Sequence, residues 1–139
     1  MAEAFARSFG GDILVAHSAG ILPSRGISSL SRRAMAEKNI PIRKRAPRLV
    51  SGYDLSAFDL VVNMTGRSMA FAGAGTLLEW QVADPAGEPL ASHRAARDNI
   101  EKLVRNLVAN LRFRDGFAPR RDRAHRTAHS TRTLLRPHS

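Results

Sequence analysis

The sequence predicts an α/β domain, a parallel sheet with helices on its faces. Three observations lead there. Short apolar runs at Ile13-Leu14-Val15-Ala16, Phe58 to Met64 and Thr76 to Val82 alternate with helical patterns, and strands interleaved with helices build parallel sheets. The first two runs are apolar at consecutive positions, as in strands buried on both faces. Near the C-terminus Ile100, Leu103, Val104, Leu107, Val108 and Leu111 form one complete helical stripe. A chain of 139 residues is one domain, or a slightly smaller domain with a tail.

Residues 2–9 favour a helix, with Phe5 and Phe9 four apart on one face and no capping residue before it. Gly10-Gly11 breaks the chain, the first strand follows, and Ser18-Ala19-Gly20 to Pro23-Ser24 is loop. Ser28 or Ser29 can cap a second helix running to Lys38, with Leu30, Ala34 and Met35 inward. Asn39 suits the left-handed residue that ends a helix, and Pro41 stops it. Arg43-Lys44-Arg45 is a basic surface turn. The second strand ends at Thr65-Gly66-Arg67, and the third is closed by Asp84-Pro85-Ala86-Gly87. The last helix spans about Ser92 to Arg112, with Gly116 and Pro119 beyond it. Three strands make a narrow sheet, and the chain opens with a helix that no strand feeds. Crossover units ordinarily run strand, helix, strand, so the pattern is that of a doubly wound domain lacking its first strand.

Composition is that of a globular protein, 43% hydrophobic and 24% charged. No apolar run approaches the ~18–20 residues that cross a bilayer. Met1 to Arg7 has neither the basic start nor the apolar core of a signal peptide, and a cytoplasmic location is expected. The chain contains no cysteine, which excludes disulfides, thiolate metal sites and cysteine nucleophiles among these residues. The net charge of +10 is uneven: residues 112–139 hold 8 Arg against 2 Asp, a net of +6. That segment has no apolar period and is expected to be a disordered basic tail. It is either a solvated extension or an arm that contacts nucleic acid or another polyanion.

Few residues offer chemistry. Gly73-Ala74-Gly75 lacks the third glycine of a nucleotide fingerprint. The five histidines have no ligand spacing with carboxylates, and His125 and His129 lie four apart in the tail without partners. No metal or cofactor is expected. His17 and Ser18 are adjacent on a strand and point to opposite faces, so they are not a catalytic pair. Asp84 remains, placed after a parallel strand where α/β folds hold ligands. A protonated carboxyl there can deliver a proton to a leaving group. Asp84-Pro85-Ala86-Gly87 is equally well suited to a plain turn.

In this order the segments resemble the low-molecular-weight protein-tyrosine phosphatase family and its arsenate-reductase relatives. Met1-Ala2-Glu3-Ala4-Phe5-Ala6-Arg7 is similar to the helix that follows the family's phosphate-binding loop. Val15 to Gly20 resembles its second strand and Ser-Ala-Gly turn. Ser29 to Pro41, Phe58 to Met64, Trp80 to Pro85 and Arg94 to Leu111 resemble the later helix, strand, Asp-Pro loop and final helix. The resemblance covers residues 1–111 and implies a three-layer flavodoxin-like fold of the phosphotyrosine phosphatase type. It also implies hydrolysis of phosphomonoesters, with Asp84 as general acid and Ser18 supporting the phosphate loop. The substrate would be a phosphorylated protein or a small anion.

The departure lies at the nucleophile. The family uses a cysteine in a Cys-x5-Arg loop between its first strand and first helix, where helix-terminal amides hold the anion. These residues contain neither that cysteine nor the loop arginine, and Arg7 comes too late to replace it. Either the start is assigned at an internal methionine, the account we favour, or the chain is a true truncation. Loss of a central first strand is expected to expose strand edges, leaving a catalytically inactive and poorly stable chain. An arsenate reductase would need thiols that are absent. A non-catalytic adaptor that binds a polyanion through residues 112–139 is the remaining alternative.

Overall fold

A computed structural model describes residues 1–21, 26–46, 48–68, 75–114 and 131–135. The expectations for Pro23-Ser24, Gly73-Ala74, Gly116, Pro119, His125 and His129 lie outside these residues. Helix α1 spans Ala2–Gly10, strand β1 Val15–Ala19, helix α2 Ser29–Ala36, strand β2 Leu60–Asn63, strand β3 Leu77–Glu79, helix α3 Leu90–Arg114 and strand β4 Thr131–Leu135. Two short 3-10 turns, Val50–Gly52 and Leu55–Ala57, lie between α2 and β2.

The helices follow from local chemistry. Helix α1 starts without a side-chain cap, carries a Glu3–Arg7 ion pair at 2.6 Å and stacks Phe5 on Phe9 at 5.5 Å between centroids. The amides of Ile13 and Leu14 both donate to the Gly10 carbonyl. Those residues therefore finish the helix, and β1 begins two residues later than the apolar run predicts. A Cβ on Gly10 would stand 3.0 Å from both Leu14 and Val108, so glycine permits the close approach of α1 to α3. Ser28 caps α2 by accepting from the Leu30 and Ser31 amides. Asn39 closes it at φ 56°, and the Ile40 amide reaches back to the Met35 carbonyl at 3.2 Å. That is the expected left-handed terminus before Pro41.

Helix α3 buries His93, Ala96, Arg97, Ile100, Val104 and Val108 along one face. Its buried stripe therefore extends toward the N-terminus beyond the apolar positions. Arg112 forms a two-point ion pair with Asp12, both N–O distances 2.7 Å, and donates to the Phe9 carbonyl. This ties the end of α3 to the end of α1.

The sheet order is β1-β4-β2-β3, and all three pairings are parallel. One core cluster joins Phe5 and Ala6 of α1, Met35 of α2 and Val104 of α3 to Ala16, Leu60 and Val62. The alternate positions Ala19 and Val61 face a second cluster with Leu55 and Phe58. Among the described residues, the 3-10 turns rather than a long helix cover that second face. Strand β3 is an edge strand, exposed at Leu77 and Glu79, and it stops three residues short of the Val82 end that was expected.

The C-terminal segment differs most from expectation. Residues 112–114 complete α3, and Thr131–Leu135 form β4 inside the sheet. Val15 pairs with Thr131 and Ala19 with Leu135 on one side. Leu60 pairs with Arg132 and Asn63 with Leu135 on the other. The open edges expected from a missing strand are thus occupied, because an extended backbone pairs by its amides and carbonyls whatever its composition.

Core burial predicts a sharp contrast between two phenylalanines. Phe5 has no exposed surface whereas Phe113 is 88% exposed. In urea melts Phe5→Ala should lower the unfolding free energy by about 3–5 kcal/mol. Phe113→Ala should change it by no more than about 0.5 kcal/mol.

Candidate functional site at the carboxyl edge of the sheet

Because the strands are parallel, their carboxyl ends share one edge, where α/β sheets place ligands. Strand β1 ends there in Ser18-Ala19, β2 in Asn63, and β3 leads to Asp84. Helix α1 runs back against β1, which sets its first turn at the same edge.

Ser18 donates its hydroxyl hydrogen to the Glu3 carboxylate in that first turn. Glu3 also pairs with Arg7, and Arg45 stands 4.0 Å away. Arg7 in turn donates to the Ala16 carbonyl at 3.1 Å. One carboxylate thus joins β1, α1 and the basic turn that follows α2. Sequence reading missed Glu3, since a single acidic residue early in a helix is ordinary.

His17 points to the opposite face, as strand alternation requires. Its ring meets Tyr53 and Phe58 edge-on at 6.1 and 5.7 Å, and its buried Nδ1 has no hydrogen-bond partner among the described residues. Burial pushes the His17 pKa down. The Glu3 carboxylate opposes that shift, while Arg7, Arg48 and Arg45 reinforce it. His17 and Ser18 are not joined, as expected.

Asn63 is buried at the end of β2 and organises the loop after it. Its side-chain amide donates to the Arg67 carbonyl at 2.8 Å. Its oxygen accepts from the Thr65 amide and the Thr65 hydroxyl at 3.0 and 2.7 Å. The sequence signal was present as a polar residue closing an apolar run before Thr65-Gly66.

Asp84 is exposed five residues beyond β3, and its Oδ1 accepts from the Ala86 amide at 3.0 Å. The Glu88 amide donates to the Pro85 carbonyl at 3.0 Å, with Gly87 at φ 76°. This is a glycine-dependent turn of the type that needs positive φ at its third residue. The turn reading of Asp84-Pro85-Ala86-Gly87 therefore holds structurally, and it presents the carboxyl to solvent. No hydrogen bond or ion pair among the described residues links Asp84 to Ser18. No group of three or more His, Asp or Glu among the described residues could hold a metal ion.

Residues 1–115 match the family described as low molecular weight phosphotyrosine protein phosphatase. A glutaredoxin arsenate reductase of Synechocystis sp. is 26% identical over 115 residues, spanning 80% of this chain and 87% of the relative. An arsenate reductase of Bacillus cereus (strain Q1) is 28% identical over 111 residues, spanning 77% and 82%. The solved arsenate reductase of Archaeoglobus fulgidus superposes with a TM-score of 0.69 at 27% identity, covering 78% of this chain and 87% of that one. An arsenate reductase in its phosphate binding state gives a TM-score of 0.71 at 24% identity, covering 79% and 86%. At that identity the likeness is one of fold.

The environment of His17 sets a pH dependence. Its folded pKa lies below the ordinary 6.5, so the unfolded chain takes up the proton first as pH falls. The stabilisation is complete above about pH 6.5 and is lost as pH drops toward the folded value. Urea midpoints measured from pH 7.5 to 5 should fall, and His17→Phe should flatten that part of the curve.

Proposed function

The chain belongs to the low molecular weight phosphotyrosine protein phosphatase family, and from that premise we propose a phosphatase-like domain whose 139 residues do not by themselves turn over a phosphomonoester. One observation carries the proposal: none of these residues is a cysteine. The family's chemistry needs a thiolate to attack phosphorus while the leaving oxygen is protonated, and then water to release phosphate from the phosphothiol intermediate. Among the described residues at the carboxyl edge, no other side chain has a neighbouring base that would make it a nucleophile. The Ser18 hydroxyl faces a carboxylate already paired with Arg7, and His17 lies on the other face of the sheet.

The same absence bears on arsenate chemistry. Reducing arsenate to arsenite takes two electrons, which thiols would have to supply. The chain's own residues offer none, so arsenate reduction is no better supported than the phosphatase-like reading, although these relatives are arsenate reductases.

Within this reading Asp84 is the proton donor left on the scaffold. It is exposed at the correct edge, one oxygen is held by the Ala86 amide, and the turn fixes its direction. Ser18 is a positioning residue, holding Glu3 and through it the first turn of α1 against β1. A second role rests on charge: residues 112–139 carry a net +6, which favours salt-sensitive contact with a polyanion. We propose a cytoplasmic setting for both roles.

Steady-state assays with p-nitrophenyl phosphate and a phosphotyrosine peptide, run from pH 5 to 7.5, test the main reading. The purified chain should show no rate above the buffer blank, and vanadate-sensitive turnover would overturn the proposal. Placing a Cys-x5-Arg segment ahead of Met1 tests Asp84 separately. If activity then appears, Asp84→Ala should slow it by about 10²–10⁴-fold, more for a poor leaving group than for p-nitrophenol.

A further inference from the structure

We infer that the cleft between β1 and β2 is a strand-acceptor site whose ligand is the chain's own C-terminal segment, Thr131–Leu135. The inference concerns assembly of the sheet and stands whether or not the catalytic reading holds.

Three features of the backbone support it. First, β4 is central and bonded on both sides, to β1 through five register pairs and to β2 through four. No direct pairing joins β1 to β2. With the segment out of the cleft, the sheet separates into β1 alone and a β2–β3 pair, each with an unpaired edge. Such edges recruit an extended chain.

Second, α3 ends where β4 begins. Arg112 binds Asp12 and the Phe9 carbonyl, so α3 ends at the amino edge of the sheet, beside the residues that lead into β1. Strand β4 enters at the same edge, where Thr131 pairs with Val15. The end of α3 and the start of β4 thus lie at one edge of the sheet, which favours filling by the same molecule over filling by another.

Third, β4 ends where a strand should hand over to a helix. Leu134 pairs with Ser18, and Ser18 donates to Glu3 in the first turn of α1. The cleft therefore has the position of a strand preceding α1, but the segment that fills it comes from the far end of the sequence. It can be released and replaced without breaking any other strand pairing.

Hydrogen exchange on the full chain is the first test. Amides of Thr131–Leu135 should be protected to the same order as those of Val61 and Val62, and exchange at the unprotected rate would overturn the assignment. The full-length Thr133→Pro variant removes one amide from a strand bonded on both edges. It should reduce protection across Val15–Ala19 and Leu60–Asn63 by about tenfold or more, and unchanged protection would also overturn it. If the variant fails to fold, a synthetic peptide of residues 128–139 should restore protection at one equivalent, whereas the same peptide carrying Thr133→Pro should not. Absence of rescue by the unaltered peptide refutes the acceptor site. Protection that rises with protein concentration together with a dimer in sedimentation would show that a second copy fills the cleft, contrary to the assignment.

Discussion

Continuity of the parallel ladder at the centre of the sheet is the constraint on which the rest of the molecule depends. Backbone amides and carbonyls must be paired wherever water is excluded, and β1 and β2 are buried beneath α1 and α3 on one face. Neither strand pairs with the other. Something extended has to lie between them for Ala16, Leu60 and Val62 to form one surface against which Phe5 and Val104 can pack. The ladder through β4 meets that requirement with backbone alone. A segment with an Arg, two Thr and two Leu therefore serves in a position where an apolar run would have been anticipated.

The helical layer is held by a different device. Arg97 is nearly buried in α3, donates to the Ala34 carbonyl at 2.9 Å and pairs with Glu37 and Asp98. Arg94 meets the same Glu37 carboxylate with three hydrogen bonds. Hydrogen bonds from Arg94 first and Arg97 second hold the Glu37 pKa at about 2, below its ordinary 4.5. Both α2 and α3 therefore remain clamped throughout the neutral range, and the clamp weakens only as strong acid protonates Glu37. One turn away, the Ser31 hydroxyl and His93 Nδ1 lie 2.9 Å apart in a buried pair. These contacts are satisfied and polar, so they fix the register of two helices that apolar packing alone would leave free to slide.

The sequence was legible where local chemistry dominates. The Ser28 cap, the left-handed Asn39 and the apolar spacing from Ile100 to Val108 each carry their own signal, and the structure has each. It was less legible where a residue is defined by what it meets. His93 and Arg97 are polar and so concealed the first turns of the buried stripe, although their partners Ser31, Ala34 and Glu37 lie some sixty positions away. Strand β4 was not legible at all. Its neighbours in sequence are arginine-rich, and only the unfilled cleft, a property of the folded sheet, gives an extended segment there a place to bind. At the site, Asp84 could be singled out because Asp-Pro-Ala-Gly marks both a turn and a strand end. Glu3 and Asn63 needed the geometry.

The electrostatics of the carboxyl edge follow from the same geometry. Glu3 is one acidic group among Arg7, Arg45 and the neighbouring Arg48, and Arg48 itself is turned toward the Tyr53 hydroxyl at 3.1 Å. The 2.6 Å pair with Arg7 largely neutralises Glu3, while Arg45 at 4.0 Å contributes only a longer-range attraction. The edge is therefore left with a positive balance beside the first turn of a helix, whose amides favour negative charge. Within the proposed function such a balance would favour an oxyanion, and attraction lowers a barrier only when a nucleophile stands in line to use it. The role we propose for Asp84 needs a thiol to attack phosphorus, and the 139 residues contain no cysteine to supply one.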